Sequence, residues 1–308
     1  MSGKICRGCC GHYYKIMVPR TSRITILIFC YILLTECNPK TNKLENYRLI
    51  SYLDIKVDSV GHLPKNPYVV DLANKNKHLI VIGTLHSRDT SNKIFKDIER
   101  IFEQFHPELI INEGGNLTKK YNSRNEAIRK NGELGLEKFL ADNNGIETVN
   151  GDMPDSSEFF ELSKAYSKEE ALVYFASERF ILPLTYYFDE KPDLENLYKP
   201  DFIDGYIQST GILLLKEEQD FSFYKTAYKK YFKNEFNIDN IHSDDFSPIR
   251  THGHFCEIAR KSKELRDICL LNKIEEKLKT HDRVLVIFGG WHILAIEPAL
   301  EQIIKRAK

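Results

Sequence analysis

Four short strand-like runs, each closed by a glycine beside a histidine, glutamate or aspartate, restrict what this 308-residue chain can fold into. His78 to Ile82 leads into Gly83-Thr84-Leu85-His86, and Leu109-Ile110-Ile111 into Asn112-Glu113-Gly114-Gly115. Ile146 to Val149 leads into Asn150-Gly151-Asp152, and Val284 to Phe288 into Gly289-Gly290-Trp291-His292. Apolar runs this short, bounded by turn residues, read as strands buried on both faces. Between the first two, Ile94, Phe95, Ile98, Ile101, Phe102 and Phe105 recur at the helical period, and Pro107 marks the stop. Strand, helix, strand in that order predicts a right-handed crossover and a largely parallel sheet. The carboxyl ends of such strands form one crevice, where polar residues distant in sequence converge.

Two further strand-like runs, Tyr52 to Val57 and Tyr68 to Leu72, precede these, and the polar turn Asn74 to Lys77 joins the second to His78 to Ile82 as a hairpin would. A terminal helix is expected from about Glu297. Between the third and fourth glycine-ended runs lies a helical stretch at about 156–279, rich in Phe and Tyr, with Ser167 and Glu170 as a capping box. The expected fold is therefore α/β: a mixed, largely parallel central sheet flanked by helices, occupying residues 51–308, with the aromatic helical segment inserted as a cap.

The N-terminal part reads as an address. Ile24 to Leu34 is apolar, preceded by Arg20 and Arg23, about as long as a signal-peptide core and short of the roughly 20 residues of a membrane span. Residues 1–37 are expected to be a signal peptide or N-terminal anchor, with Met17 as an alternative start, and residues 38–50 a linker. Leu34-Thr35-Glu36-Cys37 resembles a bacterial lipobox, which implies a lipid on Cys37 and an exported protein held at the membrane of the cell envelope. Cys6, Cys9, Cys10 and His12 lack the second ligand pair of a zinc knuckle. Cys256 and Cys269, if they share a helix, stand roughly 20 Å apart and read as packed thiols. Forty-four basic residues balance forty-four acidic ones without long blocks, so no nucleic-acid partner is expected.

The chemistry resides in His86, Glu113, Asp152 and His292. Two neutral imidazoles and one or two carboxylates form a plausible first shell for Zn, Mn or Co with a position open for water. A divalent ion lowers the pKa of that water, and a carboxylate such as Glu113 can take its proton as it attacks a carbonyl, which is hydrolysis. The alternative is that both histidines cap strand ends and bond loop backbone. Arg266 can hold a substrate carboxylate or stabilise an oxyanion, and equally can be an ion-pair residue on its helix beside Asp267. His252 and His254, near Arg250, share a face only in an extended segment and otherwise belong to an exposed polar loop.

Gly83-Thr84-Leu85-His86, Pro107 through Gly114, and Val286-Ile287-Phe288-Gly289-Gly290-Trp291-His292 resemble the TraB/PrgY, GumN and Tiki group, with more distant likeness to the ChaN and erythromycin-esterase proteins. The resemblance covers roughly His78 to the C-terminus. It implies an α/β/α fold with a helical insertion and, in the Tiki branch, metal-dependent hydrolysis of peptides, with a peptide or a small ester as substrate. His86, Glu113 and His292 would be the metal-site or catalytic positions, and Arg266 matches an Arg that often precedes the final strand in this group. The ChaN likeness implies a different outcome, a haem- or metal-binding envelope lipoprotein without turnover. A catalytically silent member of the fold is the third reading.

Overall fold

The computed structural model describes residues 47–56, 63–115, 117–187 and 191–307. The expected signal or anchor, the lipobox around Cys37 and most of the linker lie outside them. No helix among the described residues is long and apolar enough to cross a membrane.

The fold is α/β, built on a five-stranded mixed sheet with the order β1-β2-β5-β3-β4. β1 (Tyr68–Asn74) and β2 (Lys77–Thr84) form an antiparallel hairpin. β3 (Leu109–Asn112), β4 (Glu147–Asn150) and β5 (Arg283–Gly289) continue the sheet in parallel with β2. The last strand in sequence thus fills the centre, so the sheet cannot be completed before the C-terminal segment arrives. Thr84 pairs with Gly289, and Asn112 with both Ile287 and Asn150, which sets four carboxyl ends along one rim.

Both faces of β2, β3 and β5 are buried, which is why those runs are near-continuously apolar. Leu79, Val81, Val284, Val286 and Phe288 face one side, where they pack under α6 (His254–Lys277) and α7 (Gly290–Arg306). Ile80, Ile82, Ile110, Leu285 and Ile287 face α1 (Lys93–Phe105) and α2 (Arg124–Asn144) on the other. α1 lies where its apolar period places it: the Asn92 side chain caps its start, and His106 takes the left-handed conformation just before Pro107.

Between β4 and β5, α3 (Asp155–Ala165), α4 (Lys168–Phe175), α5 (Phe221–Phe232) and two π-helical stretches, Ala176–Ile181 and Tyr198–Ile207, bury a separate aromatic core. Ser167 caps α4, its hydroxyl accepting from the N–H of Glu170 at 3.1 Å. α6 is shared. Phe255, Ile258 and Leu265 enter the aromatic core, whereas Leu270, Leu271 and Ile274 enter the core under the sheet, so Arg266 and Asp267 sit where one hands over to the other. Cys256 and Cys269, both on α6, remain buried thiols.

Two expectations are corrected. The segment expected as a strand from Tyr52 begins instead as a 3₁₀ turn, Tyr52–Asp54, because the Ser51 hydroxyl accepts from the N–H of Leu53 and favours a local turn over a ladder; Val57 lies outside the described residues. The terminal helix starts at Gly290 and carries Pro298 within it, so His292 belongs to the first helical turn and not to a loop. The chain can enter this helix directly because β2 and α7 touch through glycines: a Cβ on Gly83 would stand 2.9 Å from Gly290 Cα.

Candidate functional site

At the rim of β5, α7 presents His292 inward, 3 % exposed. Its Nδ1 faces Asp267 Oδ1 at 2.5 Å and the Tyr52 hydroxyl at 3.1 Å, while Tyr52 donates to Asp267 Oδ2 at 2.9 Å. Tyr52 has a single proton and gives it to the carboxylate, so both oxygens facing Nδ1 accept, and the imidazole proton belongs on Nδ1. Nε2 then carries the lone pair. It is buried, has no hydrogen-bond partner, and lies 4.0 Å from Glu113 Oε1. Burial, reinforced by the Arg266 guanidinium and the Lys263 ammonium, holds the imidazole well below the ordinary histidine range, hence neutral. Burial pushes the Asp267 carboxyl up, against the donation from Tyr52.

Glu113, just past β3, is held at both oxygens. Oε2 accepts from the Gly289 N–H, and Oε1 from Arg266 at 2.6 Å. Arg266, 2 % exposed, also grips Asp152 with two parallel bonds of 2.7 Å. Burial alone would raise the Asp152 carboxyl, but Arg266 more than offsets it and leaves the group below its usual range. A guanidinium enclosed by two carboxylates keeps its charge and fixes the side chains of three elements, the ends of β3 and β4 and the middle of α6.

His86, beyond the end of β2, keeps a side chain 63 % exposed and sets Nδ1 3.5 Å from Glu133 Oε2. It lines a pocket of about 90 Å³ together with Thr84, Glu113, Glu133, Glu137 and Phe288. The carboxylates reach this pocket because α2 kinks at Asn131 and Gly132, the latter at φ 55°, so that Glu133 Oε1 can accept from the Ser87 N–H at 3.0 Å. A Cβ on Gly132 would stand 2.6 Å from the Ser87 carbonyl, so both the sign of φ and the close approach call for glycine.

The rim thus brings His292, Glu113, Arg266 and Asp152 into one connected network and places His86 on the neighbouring pocket wall. Asp152 turns both oxygens to Arg266 and none to an open position. No group of three or more His, Cys, Asp or Glu side chains among the described residues is spaced to hold a metal ion. Away from the rim, His254 opens α6 with Nε2 2.5 Å from Glu170.

Sequence reasoning missed Tyr52, Glu133 and Glu137 and left Asp267 without a role. An i,i+4 carboxylate pair on one helix face was the readable sign of Glu133 and Glu137. Tyr52 had no local signal, since its partners Asp267 and His292 lie 215 and 240 residues away. Compared with known proteins, the chain matches no family model and no curated sequence.

Proposed function

We propose that the chain is a hydrolase of peptide or ester bonds in which His292 is the general base, with export to the cell envelope as part of the same proposal. One observation carries this reading: a buried, neutral imidazole whose Nδ1 is fixed by Asp267 and Tyr52 keeps its Nε2 lone pair unpartnered beside Glu113. Leaving such an atom unsatisfied costs about 1–3 kcal/mol, a cost that a reacting group accounts for. A water about 2.8 Å from both Nε2 and Glu113 Oε1 would bridge their 4.0 Å separation.

In the reaction, Nε2 takes a proton from that water as its oxygen bonds to the carbonyl carbon of the substrate. The same proton then passes from Nε2 to the leaving amine or alkoxide as the tetrahedral intermediate collapses. Asp267 and Tyr52 balance the transient imidazolium, and Arg266 keeps Glu113 in place to orient the water. The first turn of α7 has no side-chain cap, and its N–H groups are the donors assigned to the developing oxyanion. No step here is routed through the divalent ion that the sequence resemblance implies.

The test is hydrolysis of a panel of p-nitrophenyl esters and fluorogenic peptides by the chain and by His292→Ala, each with chelator and with Mn, Co or Zn. Turnover that resists chelator and falls by roughly 10²–10⁴ in the variant is expected. Turnover that needs an added ion would replace the general-base route by the metal-dependent one. Turnover that survives His292→Ala would remove the proposal.

A further inference from the structure

The pocket beside the rim contains a buried carboxyl that the proposed chemistry leaves unused. Glu137 is 2 % exposed, lines the pocket, and has one oxygen buried without a hydrogen-bond partner. Its acidic neighbours are already engaged: Glu113 by Arg266 and Gly289, Glu133 by Ser87 and His86. Burial, and after it the neighbouring Glu133 and Glu113, push its carboxyl well above the ordinary range. Neither lysine nor arginine lines the pocket among the described residues; Arg266 is engaged with Glu113 at its edge, and Lys263 acts on His86 and Glu113 without lining it.

Resting on the hydrolase reading, we propose that this pocket receives a primary ammonium group of the substrate, held by Glu137 and Glu133 beside the His292 site. A primary ammonium brings three N–H donors, the kind of group Glu137 lacks. A pocket of about 90 Å³ has room for the ammonium and its first carbons. An ammonium needs only two or three acceptors at about 2.8 Å, a looser demand than the ligand sphere of a metal ion, for which no suitably spaced group of three exists among the described residues. With Glu113 in both the pocket lining and the His292 network, the amine would enter close to the scissile bond. The substrate class is thereby narrowed to compounds with a free amine near the carbonyl, whether an α-amino group or the end of a lysine-type side chain.

Binding is measured without turnover by calorimetry, with glycinamide, n-butylamine and N-acetylglycinamide as probes. Wild-type protein is expected to bind one or both free amines and to reject the acetylated probe. A preference for glycinamide indicates an α-amino group, and one for n-butylamine a side-chain amine. Glu137→Gln, which preserves shape, should weaken amine binding by roughly tenfold or more. If that variant does not fold, Leu134→Phe, which fills the pocket from its wall, should block the same binding. His292→Ala should leave amine binding intact, so a failed hydrolase reading is told apart from a failed pocket. Equal binding of the acetylated probe, or amine binding unchanged in both pocket variants, overturns the proposal, as does a divalent ion whose binding is lost in Glu137→Gln while amines do not bind.

Discussion

Two imidazoles come after neighbouring parallel strands in the same Gly-x-x-His spacing, yet the structure treats them in opposite ways. His292 enters the first turn of a helix that packs on the sheet, and its ring is enclosed by Tyr52, Phe288 and Asp267. His86 lies just past the last residues of β2 with no helix to draw it inward, and its ring stays on the pocket rim opposite Glu133. The spacing therefore fixes only where the rings leave the sheet. The next element of the chain, a helix at once or a loop, decides whether an imidazole becomes a buried, neutral ring or an exposed, chargeable group at the pocket mouth.

The strongest way to break this contrast is to remove the acceptor on which only one ring depends. Asp267→Ala leaves Nδ1 of a buried imidazole without its carboxylate and Tyr52 without the acceptor it donates to. Loss of about 1–3 kcal/mol is expected from the stranded buried groups, read as a lowered urea midpoint at unchanged slope. Turnover should fall too, since neither tautomer nor ring orientation is then held. A variant as stable and active as the parent would show that the Asp267 contact contributes nothing, and the two imidazoles would no longer differ in kind.

A second test uses the opposite directions in which the two rings are shifted. Burial and Arg266 lower His292, so between its folded value and about 6.5 the unfolded chain binds the proton that the folded one refuses. Its contribution therefore weakens stability as pH falls below about 6.5. The neighbouring Glu133 carboxylate, helped by Glu113 against the opposing effect of burial, raises His86. Its stabilisation is complete below about 6.5 and fades as pH rises through its folded value. Urea midpoints from about pH 5 to 8 should lose part of the acid-side decline in His292→Ala and part of the alkaline-side decline in His86→Ala. Changes on the same side for both variants would mean that the rings share one environment.

Legibility in the sequence divides along the same line. The strands and α1 could be read because apolar residues bury both faces of the sheet, and that need writes itself into short runs such as Leu109-Ile110-Ile111 and into a 3.6-residue period. The residues at the rim were legible by type, and four of them by place: His86, Glu113, Asp152 and His292 stand within a few residues of strand ends, whereas Arg266 sits in the middle of α6. Their partnerships were not. Arg266 faces Glu113 and Asp152 only because α6 crosses from the aromatic core to the sheet, a long-range arrangement that no local pattern records. α2 was missed for a related reason: its kink at Asn131 and Gly132 breaks the apolar period, and that break is what turns Glu133 and Glu137 toward the rim.

The smallest expected effect is the sharpest check on the contrast. His86→Ala removes a ring that is 63 % exposed and whose nearest carboxylate oxygen is 3.5 Å away, longer than a good hydrogen bond. Stability near neutral pH should stay within about 0.5 kcal/mol of the parent, as for other surface replacements. Turnover should fall by less than about tenfold, because the ring borders the pocket and takes no part in the proton transfer assigned to His292. Hydrolysis kinetics and urea titration of this single variant decide the matter. If it costs as much turnover as His292→Ala, the two rings act as a pair, and the division between a buried base and an exposed rim residue gives way to a site in which both imidazoles touch the substrate.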